Sequence, residues 1–289
     1  MAATIRPMQP ADAAAAARLW ATAWSGLEAA LREEPRAFDG MALGRLAARY
    51  RYLLGTDPGG SFVAEGGEAI VGIAASHVRA GRFLLANLGV APSVQGKGIG
   101  RALLADALEH GAGAPVGLIC SSPDPRALHR YLRAGFRLSP AMEAIGRPSP
   151  EVRVPATVRR GAGAPGDLDM VDALDQHVRH AARRADVWFL LESGAELWVD
   201  DEGAYALARA GDVVTVCASD DRLGRRLLAV LLSGQQTGRP LKAMWLTAAD
   251  DWAFAAASDA GATLKGHGAV MTRGALCHGG AYLMSGVFG

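Results

Sequence analysis

The stretch Val90-Ala-Pro-Ser-Val-Gln95-Gly96-Lys97-Gly98-Ile99-Gly100-Arg101-Ala-Leu-Leu104 constrains this 289-residue chain more than any other. An apolar run ends and Gly96, Gly98 and Gly100 alternate. Leu103, Leu104, Ala107 and Leu108 then recur at helical spacing. The pattern predicts a strand, a tight turn and a helix over 98–110. The first turn of a helix leaves backbone N–H groups unpaired and carries a partial positive charge. Glycine lets that backbone approach an anion with no Cβ in the way. Together these features predict a phosphate cradle, to which Lys97 and Arg101 add counter-charge. Two rival glycine loops fit less well. The GxxxxGK[ST] spacing is absent. A dinucleotide fingerprint needs a parallel βαβ unit with an acid about 20 residues further on, whereas the strands before this loop read as hairpin-connected and antiparallel.

Around the loop, Thr4-Ile5-Arg6 reads as a strand, and Pro10-Ala11-Asp12 opens a helix through Trp20 and Trp24. A second helix covers about 40–54, and Asp57-Pro58-Gly59-Gly60 is a turn. Strands at 61–65 and 69–78 flank Gly66-Gly67 as a hairpin, and 82–90 forms a third strand. After the loop come a buried strand at 116–120, a helix at 126–134 ended by Gly135, and a strand at 137–144. The segment Gly146–Pro155 has three prolines and reads as a linker.

The remainder repeats this order. Val158-Arg159-Arg160 resembles Ile5-Arg6-Pro7, and Ala164-Pro165-Gly166-Asp167 opens a helix as Gln9-Pro10-Ala11-Asp12 does. Strands at 196–199, 204–208 and 213–217, a Leu-rich helix at 223–232, a strand at 243–247 and a helix at 251–259 follow. The expected fold is α/β of the α+β kind. It has a mixed, mainly antiparallel twisted sheet flanked by helices, duplicated as two tandem domains: 1–147, a linker at 148–157, and 158–289.

Half of the residues are hydrophobic, and 30 basic residues face 29 acidic ones. This balance argues against nucleic acid as a partner, and the doublets Arg159-Arg160, Arg183-Arg184 and Arg225-Arg226 read as solvated faces. Cys120, Cys217 and Cys277 are far apart and predict neither disulfides nor a metal site. No apolar run has the length of a membrane span, and the N-terminus has no signal-peptide pattern, so a cytoplasmic protein is expected.

A second segment, Asp124-Pro-Arg-Ala127-Leu-His-Arg-Tyr131-Leu-Arg-Ala-Gly135-Phe136, follows the buried strand. With Gln95, Gly98 and Gly100, it resembles the two motifs of the GNAT N-acetyltransferase superfamily over about residues 3–145, with Asp124 where Asn is usual. That resemblance implies acetyl-CoA as co-substrate, no metal, and a small-molecule, peptide or protein amine as acceptor. It implies that the amides from Gln95 through Gly96, Lys97, Gly98 and Ile99 to Gly100 hold the pyrophosphate, with Arg101 and Asp124 nearby. The strand ending at Val90 would bulge and splay from the next, so that Leu88, Gly89 and Val90 pair with pantetheine. Tyr131 would protonate the departing thiolate. The usual strand carboxylate is replaced by Asn87, which leaves His77 as a candidate base. Glu28, Glu33 and Glu34 fall where a cationic amine would be drawn in. Cys120, in a strand core, is not expected to be a nucleophile. Loss of the base also leaves room for an acyl-CoA-binding sensor without turnover.

The second half lacks these features. Asp220 and Asp221 fall where a pyrophosphate would sit, Asp250 aligns with Asp124, and Ala257 aligns with Tyr131. It reads as a degenerate GNAT-like domain that completes a substrate cleft or forms a homodimer interface. Trp245, Trp252, Phe254, Tyr282 and Phe288 read as packing residues. The apolar, glycine-rich tail 279–289 is expected to dock on the other domain or on another subunit.

Overall fold

The computed structural model describes residues 3–31, 37–276 and 278–289. Glu33, Glu34 and Cys277, singled out above, lie outside the described residues. The chain forms two compact units, Met1–Ile119 and Cys120–Gly289.

In the first unit, β1 (Thr4–Pro7), β2 (Ser61–Gly66), β3 (Ala69–Arg79), β4 (Arg82–Val90) and β5 (Val116–Ser121) lie side by side in chain order. Neighbours are antiparallel except for β4 and β5, which are parallel. Two helices, α1 (Ala13–Leu31) and α2 (Gly40–Thr56), cover one face, and α3 (Ile99–His110) covers the other. Glycines mark both contacts. A Cβ on Gly89 would lie 3.1 Å from the Trp20 ring of α1, and one on Gly72 would lie 2.8 Å from Leu103 of α3. The alanine face of α1 (Ala13, Ala16, Ala17) is buried because side chains this small let a helix lie close to a sheet. Leu103, Leu104 and Ala107 anchor α3, so the glycine loop before it is set by packing behind it.

The second unit contains α4 (Pro125–Arg133), β6 (Arg137–Ile145), β7 (Val158–Arg160), α5 (Pro165–Arg179), α6 (Arg184–Glu192) and β8 (Glu196–Asp200). It continues with β9 (Ala204–Arg209), β10 (Asp212–Ala218), α7 (Asp221–Ser233), β11 (Lys242–Leu246), α8 (Asp251–Asp259), β12 (Thr263–Arg273) and β13 (Ala281–Leu283). Its strands run β12-β6-β11-β10-β9-β8-β7, with β13 added to β10. Leu223, Leu227, Leu228, Leu231 and Leu232 of α7 are fully or almost fully buried and form the core with Trp252 and the alanines of α8.

β6 is paired on both edges by later strands, β12 and β11, and so belongs with the second unit. Three elements, α6, β12 and β13, were not anticipated. Part of the tail 279–289 is a strand. Its residues Ala281–Leu283 pair with Val216–Ala218 of β10 in their own unit, since the edge of β10 offers a row of unpaired backbone groups. Arg183 is not on a solvated face. It is buried, and its Nε donates to Asp175 Oδ2 at 3.0 Å.

The duplication extends to side chains. In the first half, Arg6 Nη1 donates to Asp12 Oδ2 at 2.7 Å, and that carboxylate also accepts the N–H of Gln9. In the second, Arg159 Nη2 donates to Asp167 Oδ1 at 2.8 Å, and Asp167 accepts the N–H of Ala162. The arginine holds each carboxyl below its ordinary range. A depressed folded-state pKa adds stability that is present above the unfolded value, about 4, and is lost as pH falls through the folded value. Asp12→Asn and Asp167→Asn should therefore each cost on the order of 1 kcal/mol at pH 7. The gap to the unmodified chain, measured by urea unfolding, should close as pH is lowered below about 4.

Candidate active site

The loop between β4 and α3 turns on two glycines. Gly96 and Gly98 take φ of 83° and 84°, a left-handed conformation that strains any residue with a Cβ. A Cβ at either would meet nothing within 4 Å, so both glycines face open space. Gly98 caps α3 with no side-chain hydrogen bond. Among the described residues, no intrachain partner takes the N–H groups of Gly96, Lys97, Gly98, Ile99 or Gly100. The next two, of Arg101 and Ala102, donate to Gly98 O. Gln95 Nε2 donates to Val90 O at 3.0 Å and ties the turn to the end of β4. Lys97 and Arg101 are exposed. A run of unpaired amides at a helix start, flanked by two cations, has the donors and the charge that a diphosphate requires.

The strand leading to this loop is splayed. Its parallel ladder with β5 covers Arg82–Leu84 against Val116–Leu118. On the other edge, the pairing with β3 slips between Leu85 and Asn87, so Ala86 is the bulged residue. Beyond it Leu88, Gly89 and Val90 pair with β3 on one side only, which leaves their other edge able to bond an extended ligand. The bulge in the strand that ends at Val90 is at Ala86.

Asn87 is buried and its Oδ1 accepts from Arg49 Nη2 at 2.8 Å, a partner that sequence reading missed because 38 residues separate the two. His77 is buried on β3 opposite Leu84. Glu28 is buried in α1 and accepts from Trp24 Nε1, so it is not a free surface anion.

In the second unit, Asp124 caps α4, accepting the N–H of Arg126 at 2.9 Å and the Arg126 side chain. Tyr131 is buried on α4, and burial raises its phenol pKa, so it keeps its proton at neutral pH. Burial also pushes the Cys120 thiol up, away from the thiolate form that a nucleophile needs. His267 Nδ1 lies 3.2 Å from Glu143 Oε2, a pairing that sequence spacing hid.

The repeated features of the second half are closed. Asp220 Oδ1 accepts the N–H of Leu223 at 2.8 Å, so a carboxylate of the chain fills the helix start that corresponds to the glycine loop. The strand β10 bulges at Val214 and pairs with β11 only at Asp212 and Val213, as β4 does with β5. Of the residues beyond the bulge, Val216–Ala218 are bonded by β13.

Residues 24–136 match the model of the acetyltransferase (GNAT) family. Across the whole chain the fold is that of a tandem GNAT protein. A Pyrococcus horikoshii protein described as an acetyltransferase superposes with a TM-score of 0.78 at 15% identity, covering 100% of this chain and 96% of that one. A GCN5-related N-acetyltransferase from Sphaerobacter thermophilus gives 0.61 at 16% identity, over 94% and 95% of the two chains. A tandem GNAT protein from the clavulanic acid biosynthesis pathway gives 0.60 at 15% identity, over 96% and 99%. A search of curated proteins gave no match. No helix among the described residues is long and apolar enough to cross a membrane, and no cluster of metal-ligating side chains occurs among them.

Proposed function

We propose that the chain is an acetyl-CoA-dependent N-acetyltransferase that passes the acetyl group directly to an amine of a small molecule, peptide or protein. The observation that carries this reading is the run of unpartnered amides at Gly96–Gly100 beside a strand edge that pairs on one side only. Acetyl-CoA supplies an activated thioester. The loop amides with Lys97 and Arg101 hold its diphosphate, and Leu88, Gly89 and Val90 align pantetheine by backbone hydrogen bonds. Tyr131 donates its proton to the departing thiolate, and Asp124 sets the start of the helix that carries it. His77, buried on β3, takes the amine proton through water. Cys120 takes no part, so no acyl-enzyme forms.

A thiol-release assay with acetyl-CoA and a panel of amines tests the transfer. Tight coenzyme A binding without turnover on any amine would favour a sensor, the reading that Asn87 supports by replacing a carboxylate. Tyr131→Phe should lower kcat by roughly 10²-fold while the coenzyme A Kd moves by less than ~3-fold. An unchanged rate would return Tyr131 to a packing role.

A further inference from the structure

Arg49 is a cation with no counter-ion among the described residues. It lies on α2, where Nη2 donates to Asn87 Oδ1, and among the described residues no carboxylate pairs with it. Its Nε is buried without a hydrogen-bond partner, and so is the hydroxyl of the adjacent Tyr50. The guanidinium carbon lies 5.9 Å from the centre of the Tyr50 ring. The residue as a whole is half-buried. Burial weakens its hold on its proton. An uncompensated charge held in this way is unfavourable unless a partner of opposite sign arrives.

Its position narrows what that partner is. Asn87 directly follows the bulge at Ala86, where β4 leaves β5. The contact with Arg49 puts it on the face of β4 that α1 and α2 cover, opposite α3. The charge therefore stands beside the point to which the cofactor edge of β4 leads. Glu28 of α1 does not offset it, since that carboxylate is buried against Trp24.

We infer that Arg49 binds a carboxylate of the acceptor, so that the amines acetylated are those that also carry a carboxylate, such as free amino acids, rather than polyamines. A planar guanidinium matches a carboxylate in shape and charge, whereas one cation leaves a phosphate dianion uncompensated. This inference rests on the transferase reading above and names its substrate class.

The test uses the full chain, acetyl-CoA, and matched acceptors: amino acids, their carboxamides, and the corresponding amines without the carboxylate. The carboxylate members should show kcat/KM at least ~30-fold higher. Arg49→Gln should erase that preference through KM, with kcat and coenzyme A affinity within ~3-fold, and Arg49→Lys should restore part of it. Equal rates for acids and amides, or a preference that survives Arg49→Gln, would overturn the inference and leave the transferase reading intact. Coenzyme A binding without transfer to any amine would overturn the transferase reading and the inference with it. Should Arg49→Gln fail to fold, the acid-against-amide comparison on the unmodified chain decides alone.

Discussion

Gly98→Glu is expected to weaken coenzyme A binding by ~10²-fold or more while the chain stays folded. Gly98 sits at φ 84°, so any side chain there carries backbone strain on the order of 1–2 kcal/mol. It faces open space, so that strain is local and the core behind α3 is untouched. The new carboxylate would stand among the amides of Lys97, Ile99 and Gly100, repelling a diphosphate and competing with it for the same donors. Gly98→Ala separates the two effects: it adds the strain without the charge and should weaken binding by about tenfold at most. Isothermal titration gives the affinities, and circular dichroism with thermal melting checks the fold. An unchanged Kd for Gly98→Glu would remove the diphosphate assignment.

Asp175→Ala should destabilise the second unit by about 3–5 kcal/mol. Asp175 is fully buried and takes hydrogen bonds from Arg183 Nε at 3.0 Å and from the Tyr205 hydroxyl at 2.7 Å, with Arg179 Nη1 3.4 Å away. Arg183 reaches on to Thr215 Oγ1 and to the hydroxyls of Tyr205 and Tyr282. Removing this carboxylate withdraws the acceptor that Arg183 Nε and Arg179 Nη1 share inside the core. Asp175→Asn keeps a hydrogen-bond acceptor and should cost less. Urea unfolding followed by tryptophan fluorescence measures both variants. A loss under about 1 kcal/mol for Asp175→Ala would show that the arginines find other partners.

Most elements could be read from the sequence because each has a local cause. Leucine spacing gives α3 and α7, Gly66-Gly67 gives the β2–β3 hairpin, and Gly96 and Gly98 give the turn before α3. The elements that were missed lack such causes. β12 is interrupted by Gly266 and Gly268 and has no clean alternation, and its pairing with β6 spans well over a hundred residues of chain. β13 has only three residues and exists because β10 presents an edge. The same limit applies at the candidate site. The amide cradle is continuous in sequence and could be read, whereas Arg49–Asn87 joins a helix to a strand and His267–Glu143 joins two strands. The first arginine of the Arg183-Arg184 doublet is swallowed by a core that the doublet itself does not announce.

A bulged strand that parts from its neighbour has backbone groups it cannot satisfy alone. In the first copy this is a standing demand for a visiting molecule; in the second the polypeptide answers it with Ala281–Leu283. A ligand bound along that edge of the first copy would raise its stability with saturation, whereas the edge in the second copy is already closed by its own chain. One half thus keeps an open strand edge and the other closes its own.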